Sequence, residues 1–109
     1  MIHFDHLAFE TENIQGTVEF YRARFPDTQV LYQDATWAFI ECGGVKIAFV
    51  TPSEHPAHIA FRVDSGAELT TEAAKTGATI KRHRDGSESF YIVDPAGNAL
   101  EMIHYPPTM

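Results

Sequence analysis

One four-residue motif occurs twice in this chain. His6-Leu7-Ala8-Phe9 is matched by His58-Ile59-Ala60-Phe61, a little over fifty residues later. A second pair of segments, Gly44-Val45-Lys46-Ile47-Ala48 and Gly97-Asn98-Ala99-Leu100-Glu101, recurs in the same order at nearly the same offset. One such match carries little weight. Two at a shared spacing point to a duplicated supersecondary unit, neither copy of which buries its apolar face alone. At 109 residues the chain has room for one domain made of two small halves, and none for separate cofactor and substrate domains. A chain of this size buries roughly two-thirds of the surface its unfolded form exposes, so it holds a core without staples.

Each half reads as βαβββ. In the first half a strand is expected over about Ile2 to Phe9. A helix follows over about Ile14 to Arg24, with Asn13 as its N-cap and Val18, Tyr21 and Phe25 on one face. Strands are expected near Gln29 to Tyr32, Trp37 to Cys42 and Val45 to Val50, the last two joined by a Gly43-Gly44 hairpin turn. In the second half a strand covers about Ala57 to Val63. Ser65 and Glu68 form a capping box that opens a helix to about Lys75, ended by Gly77. Strands follow near Thr79 to His83, Ser89 to Val93 and Ala99 to His104, with Asp94 to Asn98 as a turn. The expected fold class is α+β: two tandem βαβββ modules forming a curved, mixed β-sheet with helices on its outer face. The modules, about 1–51 and 57–105, make up a single domain over 1–109, and Thr51 to Pro56 is the linker.

Alternation along a strand assigns faces. Leu7 and Phe9, Ile47 and Phe49, Ile59, Phe61 and Val63, and Leu100 and Met102 share a bulky apolar face that should pack under the helices. The other face carries small residues together with His6, Lys46, His58, Arg62 and Glu101. A sheet covered on one side that curls makes this second face concave, the usual form of a small-molecule site. Two histidines and one carboxylate converging there match the facial arrangement that holds a divalent metal and leaves positions open. Imidazole and carboxylate suit Fe, Mn, Co, Ni or Zn without choosing among them. Any one of these histidines taken singly is more often a satisfied or surface residue, and Glu101 alone more often an exposed edge residue. Their joint occurrence on one face, two at equivalent repeat positions, favours ligation.

Composition narrows the partners. The formal net charge is −7, which argues against a broad nucleic-acid-binding surface and against anionic membranes. No apolar run approaches the roughly 18 residues of a membrane span. The first residues lack a basic start and an apolar signal core, and the lone Cys42 rules out an intrachain disulfide, so a cytoplasmic location is expected. Cys42 reads as a buried, inert thiol rather than a nucleophile.

At these residues the chain resembles the vicinal oxygen chelate superfamily, the group of glyoxalase I, fosfomycin-resistance proteins, extradiol dioxygenases, methylmalonyl-CoA epimerase and bleomycin-resistance proteins. The resemblance runs over nearly the whole chain. It rests on His6-Leu7-Ala8-Phe9, Val18-Glu19-Phe20-Tyr21-Arg22, His58-Ile59-Ala60-Phe61-Arg62-Val63 and Tyr91-Ile92-Val93-Asp94-Pro95-Ala96-Gly97-Asn98-Ala99-Leu100-Glu101. It implies paired modules around a divalent metal, with His6, His58 and Glu101 at the metal positions. Glyoxalase I has a fourth ligand late in the first module, and Ala48 stands at the matching position. The resemblance therefore leans to three-ligand relatives.

Tyr91 matches an active-site tyrosine of extradiol dioxygenases and is the candidate catalytic residue, poised to hydrogen-bond an oxygen at the site. A tyrosine filling space in the sheet is the alternative. Arg62 and Lys46 are candidate substrate-binding residues, with a rim position as the bland reading of each. His83 loosely matches a second-sphere histidine. Arg82 and Arg84 read as a solvated charge run. His3, His55 and His104 are taken as structural or exposed. Trp37 and Phe39 read as core rather than as an apolar wall of the site.

Two functions of different kind follow. One is a small metal-dependent protein acting on an oxygenated small molecule that chelates through adjacent oxygens. The other is a metal-free, ligand-sequestering protein of the bleomycin-resistance type. The resemblance also implies a homodimer. Fold-level likeness does not fix a reaction.

Overall fold

The computed structural model describes residues 1–52 and 55–107. Its elements run β1 (Ile2–Glu10), α1 (Ile14–Arg24), β2 (Gln29–Gln33), β3 (Trp37–Cys42), β4 (Val45–Val50), β5 (His58–Val63), α2 (Gly66–Thr76), β6 (Lys81–Arg82), β7 (Glu88–Val93) and β8 (Ala99–His104). The βαβββ order thus appears twice, as expected. The eight strands hydrogen-bond in the order β2-β3-β4-β1-β5-β8-β7-β6. The chain forms two compact units, His6–His58 and Met1–Asp5 with Ile59–Met109. Of the expected linker, Ser53 and Glu54 lie outside the described residues.

In the His6–His58 unit, β1 pairs with β4 in parallel, from Leu7 opposite Ile47 to Glu10 opposite Val50. Parallel pairing needs a crossover, and α1 with β2 and β3 supplies it. Asn13 caps the helix: its side-chain oxygen accepts the Gly16 N–H at 2.9 Å. A side chain at Gly16 would run into that cap. β3 and β4 are antiparallel and joined by Gly43-Gly44 at φ 58° and 78°. A two-residue hairpin turn with positive φ at both central positions follows the strand twist and favours glycine. The core is Ile14 and Val18 of α1 against Ala38, Ile40, Ile47 and Phe49. Tyr21 closes over Phe49, with ring centroids 4.9 Å apart. Phe25 ends the helix instead of joining that core, and remains exposed.

The strand β3 corrects one expectation. Ala38 and Ile40 are fully buried under α1. Alternation therefore turns Trp37 and Phe39 to the opposite face, away from the core.

In the other unit, β7 and β8 form an antiparallel hairpin in which Tyr91 lies directly opposite Glu101. The Asp94 carboxylate builds the connecting turn, accepting N–H bonds from Ala96 at 2.9 Å and Asn98 at 2.8 Å, with Gly97 at φ 90°. Val63, Leu69, Ala73 and Phe90 make the core, flanked by Ala78, Ile80, Ile92 and Met102. Ser65 caps α2 by accepting the Glu68 N–H at 3.1 Å. The reciprocal half of the expected capping box differs. The Glu68 carboxylate takes the N–H of Asp64, not that of Ser65. Gly77 closes the helix at φ 72°.

β6 is shorter than the sequence suggests at both ends, and at its C-terminal end His83 N–H turns to the Ser87 carbonyl, 2.8 Å away, and starts the hairpin early. The bulky face is also less completely covered than expected. Phe9 is 42% exposed, and Phe61 meets Phe4 edge-on instead of joining either core.

The two apolar cores carry the stability. Phe49→Ala is expected to cost about 3–5 kcal/mol, a large part of the ~5–15 kcal/mol that holds a domain folded. Phe20, 63% exposed, should give within about 0.5 kcal/mol of zero on the same substitution. Urea unfolding of the two variants checks the contrast.

Candidate metal centre

His6 stands in β1, His58 opens β5 and Glu101 sits in the middle of β8. One ligand atom from each lies within 4.8 Å of the others. Among the described residues this is the one group of three or more histidine, cysteine or acidic side chains so placed. Donors bound to a common ion at ~2.1 Å lie roughly 3 to 4 Å apart.

The chemistry of the donors suits that role. The His58 Nδ1 lies 2.8 Å from the Pro56 carbonyl oxygen. A carbonyl only accepts, so Nδ1 carries the proton and Nε2, which is shielded from solvent, is the ring nitrogen that would face a metal. A backbone carbonyl fixing the tautomer in this way is the usual support of a metal-binding histidine. The His6 ring is nearly buried, 5.5 Å from the His58 ring and 5.8 Å from Phe39. Glu101 is 5% exposed. A carboxylate taken out of water needs compensating charge or hydrogen bonds, and a divalent cation supplies the first. Two neutral imidazoles and one carboxylate leave such an ion with a net positive charge. The residues present fit a divalent metal.

Tyr91 hydrogen-bonds Glu101 from the facing strand. Burial first, then the charge of Glu101 and this bond, push its hydroxyl well above the ordinary tyrosine range, so it stays protonated and donates. Ala48 lies opposite Ala8 on β1 and Phe39 on β3, on the side of β4 that matches His6. Its methyl group brings no further donor.

The remaining sequence candidates are placed as follows. Arg62 is 41% exposed, with one guanidinium nitrogen 3.5 Å from the buried Asp5 carboxylate. Tyr105 donates to the other oxygen of Asp5 at 2.8 Å. Lys46 is exposed, opposite Glu41. The His83 Nε2 is 2.6 Å from the hydroxyl of the buried Ser89, which shares its strand face with Tyr91. Arg82 lies 4.0 Å from Glu88, and Arg84 is exposed. His3 pairs with Asp64 at 3.0 Å, and His55 is exposed. The bracing of Arg62 by Asp5 and Tyr105 was not visible in the sequence. Phe39, read from the sequence as core, instead stands beside His6, and the parity of Ala38 and Ile40 on β3 was the signal that could have placed it there.

The glyoxalase-like domain family matches residues 6–103. The chain belongs to that family. No curated protein gives a significant sequence match. Among solved structures, a hypothetical protein from Bacillus halodurans C-125 superposes with a TM-score of 0.74 at 19% identity, over 99% of this chain and 97% of that one. Methylmalonyl-CoA epimerase from Mycobacterium tuberculosis gives 0.73 at 14% identity, over 96% and 89%. A glyoxalase/bleomycin resistance protein/dioxygenase superfamily member from Vibrio splendidus 12B01 gives 0.69 at 11%, over 95% and 99%. At these identities the likeness concerns the fold. That fold, eight strands and two helices in two βαβββ repeats, is the vicinal oxygen chelate fold the sequence pointed to.

In this glyoxalase-like chain Asp34 organises the turn into β3. Its carboxylate accepts the Tyr32 hydroxyl at 2.6 Å and the N–H groups of Thr36 and Trp37 at 2.8 and 2.9 Å. The Tyr32 hydroxyl and these N–H bonds lower its pKa from 3.8 to about 2. A carboxyl depressed on folding adds stability that is complete above its unfolded pKa and is lost as pH falls through the folded value. The deficit of an Asp34→Asn variant in thermal midpoint should therefore be full at pH 6 and shrink between pH ~4 and ~2. Thermal melts across that range check it.

Proposed function

We propose that this chain is a divalent-metal-dependent vicinal oxygen chelate protein. Its ion is held by His6, His58 and Glu101, and its ligand is a small oxygenated molecule that chelates through adjacent oxygens. The observation that carries this reading is the convergence of the three donors, with the His58 tautomer already set for ligation by Pro56. Three protein ligands leave positions open, and a bound divalent ion there supplies Lewis acidity toward oxygen ligands.

The chain's own residues do the rest. Pro56 orients His58. Tyr91 orients Glu101 and keeps its proton, so it serves as a hydrogen-bond donor at the site. Arg62, braced by Asp5, and Lys46 are the cations for an anionic group on the ligand. Methylmalonyl-CoA epimerase has been captured with methylmalonyl-CoA, and the Streptomyces coelicolor enzyme with 2-nitronate-propionyl-CoA, so small-molecule binding is familiar on this fold. Ala48 argues against carrying over a four-ligand pattern. No helix among the described residues is long and apolar enough to cross a membrane. A homodimer in the cytoplasm completes the reading.

Purification without chelators should yield about one equivalent of Fe, Mn, Co, Ni or Zn per chain, on the stoichiometry of one three-donor site. His58→Ala should lose it while circular dichroism stays unchanged. A folded wild-type chain that takes up none of these metals would overturn the proposal and leave the ligand-sequestering alternative.

A further inference from the structure

The two strands that end the sheet are unlike. β6 is two residues long, and both, Lys81 and Arg82, are cationic. A short, charged strand is a usual means of keeping an open edge from pairing with another chain. β2 is Gln29-Val30-Leu31-Tyr32-Gln33, five residues without a charge or a proline, and all five are exposed. Its one protective device is a bulge, a register shift between Val30 and Tyr32. β2 pairs with β3 on one side only. The N–H and C=O groups that a terminal strand turns outward are satisfied by water or by another strand.

The strand is compatible with a second copy of itself. Val30 lies opposite Ile40 and Gln33 opposite Ala38, so both point to the α1 side of the sheet. An antiparallel pairing that keeps these two on one face and centres the strand puts a two-fold axis between Leu31 and Tyr32. Val30 then falls beside Gln33 of the second copy, and Leu31 beside its Tyr32. Leu31 and Tyr32 are 47% and 45% exposed, and this pair would form twice across the axis. Two-fold symmetry brings a charge near its axis toward its own like. No charge stands there, and the flanking Asp27 and Asp34 fall beside Thr36 and Gln29 of the second copy. In a chain of net charge −7, a neutral edge is where two copies meet with least repulsion. Tyr32 is also held in advance. It stacks on Trp37, with centroids 4.6 Å apart, and Asp34 fixes its hydroxyl, so little side-chain freedom remains to be lost on docking.

We propose that β2 is the dimerisation edge of this chain, pairing antiparallel with β2 of a second copy about a two-fold axis between Leu31 and Tyr32. This gives the homodimer of the proposed function its surface. It rests on that part of the reading and is independent of the metal.

Sedimentation velocity over a concentration series should show a monomer–dimer equilibrium that raised salt tightens, since salt screens the net negative charge of the two copies. Leu31→Lys sets two ammonium groups side by side at the axis. It should weaken the dimer at least about tenfold while circular dichroism stays unchanged. Phe20→Ser, on the exposed side of α1, should leave the dimer as it is. Amide hydrogen exchange reads the surface in the unaltered chain, so the test stands even where Leu31→Lys does not fold. Gln29–Gln33 should exchange more slowly in the dimer than after dilution to the monomer, and Lys81–Arg82 equally in both.

A chain that is monomeric at every concentration overturns the proposal. So does a dimer whose formation leaves exchange at β2 unchanged, or one that a folded Leu31→Lys does not weaken. Loss of the dimer in Phe20→Ser, with β2 exchange unaltered, would move the contact to α1 and overturn it too. The readings fail separately. A monomer carrying one metal ion sinks the edge and keeps the metal centre, a dimer formed through another surface sinks the edge and keeps the homodimer, and a metal-free dimer joined at β2 sinks the metal centre alone.

Discussion

The two-residue period of the β-strand is the constraint on which everything else depends. Each strand sends alternate side chains to opposite faces, and in each unit a helix covers only one of them. Ala38 and Ile40 under α1, and Phe90 under α2, settle which set goes inward. Once that is decided, Trp37, Phe39, Tyr91 and Glu101 have no choice of side. A slip of one residue in β3 or β8 would bury a charge and expose a core at the same time. The chemistry-bearing residues therefore occupy their face because the apolar ones occupy the other.

What that face then offers is an unusual mixture for so small a chain. It holds a buried carboxylate, two imidazoles, a tyrosine whose proton is hard to remove, and a run of aromatic rings ending in solvent. The polar members are each oriented by a neighbour, His58 by the Pro56 carbonyl and Glu101 by Tyr91. Arg62 and Tyr32 follow the same rule, held by Asp5 and Asp34. Orientation of this kind lowers the ordering cost at the moment of binding.

Much of this was legible beforehand. The duplicated motif announced the βαβββ repeat, and the helix boundaries followed from Asn13, Ser65 and Gly77, whose chemistry is local. His6, His58 and Glu101 could be named because their strands alternate cleanly. Other features resisted. Phe39 was taken for core because a phenylalanine in a strand usually is, and only its parity against Ala38 and Ile40 says otherwise. The Glu68 side chain was expected on the Ser65 N–H and instead takes that of Asp64, a choice made by one residue of backbone geometry. Phe9 and Phe61 carry the bulky parity yet lie outside both cores, since periodicity states which way a side chain points but not whether anything covers it.

The sequence by itself determined the kinds of donor available, the face each would occupy and the repeat that made two histidines equivalent. These are consequences of strand period and local capping, which act over a few residues. Tertiary structure decided the distances. That three donors from positions 6, 58 and 101 come within 4.8 Å of one another depends on how strands remote in sequence are ordered in the sheet. That Arg62 is met by Asp5, and Tyr32 by Trp37, depends on strand register and turn geometry. Alternation fixes direction, but only packing brings side chains from distant parts of the chain to bonding range.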